Sequence, residues 1–330
     1  MFDLREILSL NSFDYKMMPT ETNIPTIVKR VLNVKITRLQ PGMLKFTPRI
    51  LKTVGEEIEI PKKVDLRPKM PPVYDQGTLG SCSANALGAC YEYEDERDDL
   101  ESFRPSRLFL YYNERKMEGN ITVDSGATMA SGIQSLQDNG VCDEKIWAYD
   151  ITKFAREPPV EAYSDALKHR AVVVSNIPQN ERALKRSLAT GYPFVVGILV
   201  FSSMMTYEVA RTGYVPLPDL KTDDVQGGHA IMIVGYDDSQ AVWICRNSWG
   251  REWGDKGYFY LPYAYLLDSN LSSDVWNISK VTESDTLPDT DETRILKEIL
   301  DSLETIKSQV LSLLHTPTLT TDPAVSYTTA

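Results

Sequence analysis

A chain of 330 residues with 42% hydrophobic content is long enough to bury a large core and to divide into two lobes with extensions. Its formal net charge of −11 makes nucleic acid and anionic membrane surfaces poor partners, and no apolar run approaches the ~20 residues of a membrane span. Asp3, Glu6 and Asp14 interrupt Met1 to Thr20, so no secretory signal peptide is expected.

Residues 1–59 carry nine Lys/Arg and seven Asp/Glu, slightly basic against an acidic remainder. The next informative stretch, Pro72 to Tyr93, reads as a loop punctuated by Asp75, Gly77 and Gly80 and then a helix. Its small and aromatic residues, Ala86, Ala89/Cys90 and Tyr93, recur at helical spacing, which puts Cys82 at the helix N-terminus. Free N–H groups and the positive end of the helix dipole favour a thiolate there, and only the thiolate is nucleophilic. Pro105-Ser106-Arg107 reads as the start of a second helix, and Ser125-Gly126 opens a third over Ala127 to Asp138, ended by Asn139-Gly140.

Beyond Asp150 the pattern turns to strands, with a run at Ala171–Ser175, a short helix over Glu181–Ala189 and a buried strand within Gly191–Val200. His229 stands at the mouth of a β-branched run, behind Gly227 and Gly228, which let another backbone approach closely. The strand Val242–Arg246 follows a polar turn at Asp237-Asp238-Ser239, so a hairpin returns Asn247 beside His229. Cysteine, histidine and an orienting amide are the parts of nucleophilic catalysis. His169, among charged neighbours and without partners at metal-ligand spacing, is expected on the surface; no metal and no cofactor are expected.

These residues resemble the papain-like cysteine proteases, the cathepsin group, over about Ile60 to Tyr263. The resemblance is carried by Leu79-Gly80-Ser81-Cys82-Ser83, with a histidine and an asparagine far downstream, by Gln76 six residues before the cysteine, and by Ile60-Pro61 to Arg67. The block from Asn247-Ser248-Trp249-Gly250 through Trp253-Gly254 to Gly257-Tyr258 completes it. It implies an α+β papain-like two-lobe fold, with a helical lobe over about 60–150 and a β-barrel-like lobe over about 151–277. It implies catalysis by Cys82, His229 and Asn247, with the Gln76 side chain and the Cys82 N–H binding the oxyanion and Trp249 shielding the His229 to Asn247 hydrogen bond. Gly126 would offer its backbone to the substrate, with Ala127 on the pocket wall and Gly228 and Trp249 also lining the substrate site; a plain helix-start glycine fits position 126 equally. Two departures stand out. Leu79 replaces a family cysteine, so one common disulfide cannot form, and Ser83 replaces the usual aromatic after the nucleophile.

The expected activity is that of a cysteine endopeptidase acting on polypeptides through a thioester acyl-enzyme. A catalytically idle papain-fold binding or structural protein is the alternative, and a dipeptide-releasing exopeptidase is disfavoured because no histidine-rich insertion lies between Glu94 and Gly126. By resemblance residues 1–59 form an inhibitory propeptide; a structural arm that is never removed is the rival reading. Residues 278–330 read as an acidic linker, an amphipathic helix over 289–315 that would mediate self-association or bind a protein partner, and a polar tail. With Cys82 as nucleophile, Cys90, Cys142 and Cys245 cannot all pair, and Cys90 and Cys245 read as buried thiols. A reducing, intracellular (cytoplasmic) setting follows, with a virion or other packaged compartment as the alternative.

Overall fold

The computed structural model describes residues 32, 34–35, 59–97 and 103–282. Met1–Glu283 form one compact unit, and Ser284–Ala330 form a second that lies outside the described residues, together with the helix expected over 289–315.

Helix α1 (Cys82–Arg97) is the central element. Its first backbone bond runs from Asn85 N–H to the Ser81 carbonyl, so Cys82 is the first helical residue. Ala84, Ala86, Gly88 and Ala89 keep the helix thin, and it is buried on every side from Cys82 to Asp95 rather than on one face as its spacing suggested. On one side it meets α2 (Arg107–Met117) and α3 (Met129–Asp138). Both are capped by hydroxyls: Ser106 accepts from Phe109 N–H at 3.2 Å and Thr128 from Ser131 N–H at 3.1 Å. The Thr128 cap explains why α3 starts two residues later than its sequence pattern suggests. Thr128 stays extended as the cap, and Ala127 before it is fully buried.

On its other side α1 packs on the sheet, against β4 (Val225–Asp237) and β7 (Ser272–Thr282). The expected barrel-like lobe is a seven-stranded antiparallel sheet in the order β2 (Arg170–Asn176), β7, β3 (Phe194–Phe201), β4, β5 (Val242–Arg246), β6 (Tyr258–Pro262). The short β1 (Lys63–Asp65) adds to β4, helped by a Lys63 to Asp237 ion pair of 2.8 Å. Strands β3, β4 and β5 are almost wholly buried, as expected of β-branched runs covered on both faces. Helices α4 (Val160–Ala166), α5 (Glu181–Ala189), α6 (Tyr207–Thr212) and α7 (Tyr263–Leu267) lie along the connections. Strand β7 continues through Thr282, past the Asn277 at which the sequence pattern places the end of the β lobe.

His169 is half-buried, with its ring 4.1 Å from that of Phe103, rather than on the surface. All four cysteines are buried free thiols.

Candidate active site

The site forms where the start of α1 meets β4 and the end of β5. Cys82 is fully buried, and its sulfur receives a hydrogen bond from the backbone of Ala230, the residue after His229. His229 lies in the interior of β4, opposite Ile198 of β3, not at the strand's first position. Its Nε2 is 2.8 Å from Asn247 Oδ1. The same oxygen accepts from Ser248 N–H at 2.8 Å, which identifies it as the acceptor end of the amide. Nε2 therefore donates, and the proton-accepting nitrogen of the neutral ring is Nδ1. Trp249 stacks on the imidazole with centroids 4.8 Å apart and packs edge-on against Trp253. That apolar cover keeps water away from the His229 to Asn247 bond.

The loop before Cys82 is stitched to the segment after β5. Gln76 N–H donates to the Ser248 carbonyl at 2.8 Å and Gly250 N–H to the Tyr74 carbonyl at 3.0 Å. Ser248 Oγ donates to Gln76 Oε1 at 2.6 Å, and Gln76 Nε2 donates to the Leu79 carbonyl at 3.0 Å. The amide is thus held at both ends, with its NH₂ on the side of the Cys82 loop. Tyr149 adds a bond to the Gln76 carbonyl at 3.0 Å, and Arg107 stacks over the Tyr149 ring at 4.0 Å.

Two carboxyl groups that the sequence reading did not single out support the helical side. The half-buried Asp124 accepts Gly80 N–H at 3.1 Å on each oxygen and the Tyr111 hydroxyl; that hydroxyl in turn accepts Gly126 N–H at 3.1 Å. One side chain therefore ties the loop before Cys82 to the glycine expected to meet substrate. Gly126 has φ of +67°, a conformation that favours glycine, but its N–H is engaged by Tyr111. The second group is Glu114, fully buried, which accepts Ser83 Oγ at 2.7 Å. Burial pushes the Glu114 carboxyl well above its ordinary range, against the downward pull of the Ser83 bond. In the sequence Glu114 is flanked by Asn113, Arg115 and Lys116 and reads as one more charge on a helix, so nothing there marks it as buried.

The N-terminal segment enters this site. Val34 N–H donates to the Gly228 carbonyl at 3.0 Å and Lys35 N–H to the Ala127 carbonyl at 3.3 Å. A Cβ on Gly228 would lie 2.1 Å from the Val34 carbonyl oxygen, and one on Gly227 would lie 2.5 Å from that of Leu32. The backbone that the two glycines admit is the chain's own. Under this cover the Cys82 thiol is pushed up to about 11 by burial, which outweighs the Ala230 hydrogen bond. The pull of the helix N-terminus toward a thiolate is thus outweighed in this state by desolvation of the sulfur, and the remaining activation has to come from a base.

Among the described residues no three His, Cys, Asp or Glu side chains gather as a metal site, and no helix is long and apolar enough to cross a membrane.

The family model for papain family cysteine proteases matches residues 60–275. A peptidase C1-like protein of Acanthamoeba polyphaga mimivirus is 40% identical over 248 residues, covering 72% of this chain and 79% of that protein. Procathepsin L of Rattus norvegicus is 28% identical over 218 residues, and the match spans 60% of its length. Among solved structures, xylellain, a cysteine protease from Xylella fastidiosa, is similar with a TM-score of 0.63 and 41% identity, over 67% of this chain and 87% of that one. The digestive procathepsin L 3 of Tenebrio molitor, at 22% identity and a TM-score of 0.54 over 68% of this chain and 71% of that one, shares the fold.

Proposed function

The chain belongs to the papain family of cysteine proteases, and from that premise we propose that it hydrolyses peptide bonds with Cys82, His229 and Asn247 and is held latent by its N-terminal segment. The observation that carries this reading is the hydrogen bond from His229 Nε2 to Asn247 beneath Trp249, with Cys82 beside Ala230 on the same strand.

In the proposed reaction His229 Nδ1 takes the Cys82 proton, and the sulfur attacks the scissile carbonyl. Asn247 holds the ring in place as it becomes positively charged. Gln76 Nε2 and the Cys82 N–H stabilise the oxyanion, where one donor is worth ~10²–10³ in rate. His229 then protonates the leaving amine, water cleaves the thioester, and the thiol is regenerated. Ser248 keeps the glutamine amide turned the right way, through its bond to Oε1.

Latency follows from the same geometry. Val34 and Lys35 occupy backbone positions at Gly228 and Ala127 that a substrate would use, and the buried thiol is a poor nucleophile while covered. A tethered segment has a high effective concentration, so weak contacts suffice. The four unpaired thiols support a reducing, intracellular setting as part of this proposal.

The test compares full-length protein before and after cleavage near residues 56–62, on a small peptide substrate at two salt concentrations. Acceleration by the cut, partly mimicked by salt, supports latency. Equal rates throughout would leave the segment as a structural arm.

A further inference from the structure

Lys35 does more than follow Val34 through the cleft. Its Nζ pairs with Glu118 Oε2 at 2.5 Å, and the Glu118 side chain is only 15% exposed. The other oxygen of Glu118 is fixed: Oε1 accepts Thr128 N–H and Ser131 Oγ, each at 2.8 Å. The carboxylate is thus pinned by the first turn of α3, one residue beyond the Ala127 carbonyl that the segment's backbone meets, and presents a single free edge. Burial alone would raise the carboxyl, but the bonds from Lys35, Thr128 and Ser131 outweigh it and hold the group below its ordinary range, as an anion. Neighbouring cations are engaged elsewhere. Lys116 pairs with Glu157 at 2.8 Å, and the Arg115 guanidinium donates to the carbonyls of Ile121 and Val123.

A preorganised anion beside a backbone-binding carbonyl is a recognition site for a cationic side chain on an extended peptide. We propose that Glu118 is a substrate subsite for lysine or arginine, filled in the latent chain by Lys35. This rests on the reading of the cleft as a peptidase site. The buried Val34 supplies the second half of the specificity: the cleft accepts an aliphatic residue adjacent to the basic one. The segment is both a blocker and a record of what the site takes.

Lys35→Gln, cut near residues 56–62 so that the latent state is relieved, removes the internal competitor for Glu118 without touching the catalytic groups. In this background kcat/KM is measured for fluorogenic peptides that are identical except for Lys or Gln beside a valine, with the variable residue placed on either side. The Lys peptide is expected to be favoured about five- to tenfold in one of the two placements, and less so at high salt. Adding Glu118→Gln, which keeps an oxygen for Thr128 and Ser131, should bring the ratio to about one, and Glu118→Lys should favour a Glu peptide. Equal rates for the Lys and Gln peptides in Lys35→Gln, or a preference that survives Glu118→Gln, would overturn the subsite while leaving the peptidase reading intact. Should neither peptide be hydrolysed, the peptidase reading fails. The subsite is then decided by fluorescence anisotropy on Cys82→Ala/Lys35→Gln cut near residues 56–62, where tighter binding of the Lys peptide supports it and equal binding overturns it.

Discussion

The two walls of the cleft are built on different physical principles. On the sheet wall, His229 and Asn247 are carried by β4 and the end of β5, whose ladder is buried and apolar, and Trp249 covers their hydrogen bond. On the helical wall, Cys82 sits on a helix start fixed by polar side chains: Asp124 at Gly80, Glu114 at Ser83 and Glu118 at the α3 cap. The sheet wall derives its precision from backbone register, which tolerates side-chain change. The helical wall derives it from three carboxyl groups, so its geometry depends on their protonation and partners. Substitutions should therefore separate the walls.

The largest effect is expected at the chemistry itself. Cys82→Ala should lower turnover by at least ~10⁴-fold with folding intact, and His229→Ala should act similarly. Asn247→Ala only releases the ring and should cost less, ~10–10²-fold, read as kcat/KM on one peptide. An asparagine variant more damaged than the histidine variant would break the assignment of roles on the sheet wall.

Next comes the helical wall. Asp124→Ala frees the loop before Cys82 and the Tyr111 to Gly126 link at once, and a loss of about tenfold in kcat/KM is expected. Asp124→Asn can still accept hydrogen bonds and should recover much of it. An unchanged Asp124→Ala would show that the loop is positioned by the Ser248 stitching alone.

The smallest effect sharpens the comparison through pH. The folded-state pKa of Glu114 lies above its unfolded value near 4.5, so the folded protein holds a proton that the unfolded chain releases. Its contribution to stability is full below about 4.5 and is lost as pH rises through the folded value. Glu114→Gln keeps an acceptor for Ser83 and escapes that loss, so its melting temperature should exceed that of the parent by more at pH 8 than at pH 5, by about 2–4 °C. A constant difference between the two pH values would contradict a protonated, buried Glu114.

The same contrast explains what could be read from the sequence. The turn from helical to strand patterning near Asp150, the hairpin that returns Asn247 to His229, and the helix start at Ser106 follow from periodicity and turn chemistry, which are local signals, while the two-lobe fold was implied by the family resemblance. Asp124, Glu114 and Glu118 carry no such signal. Asp124 contacts Gly80 across 44 positions, and Glu114 contacts Ser83 across 31, so their roles exist only once the helices are packed. The thiol's state was only half legible for a related reason: the helix N-terminus is visible in sequence, but the desolvation that opposes it comes from tertiary burial. His169 was placed outside for want of a visible partner, and Phe103 supplied one.

The central claim is that Cys82 alone among four buried thiols is the nucleophile, activated by His229. It is tested most directly by labelling the protein, cut near residues 56–62, with an epoxide-type cysteine-protease inhibitor and mapping the modified peptide. The account predicts label on Cys82 only, and its near-complete loss in His229→Ala. Label on Cys90, Cys142 or Cys245, or labelling of Cys82 unchanged by His229→Ala, would contradict it.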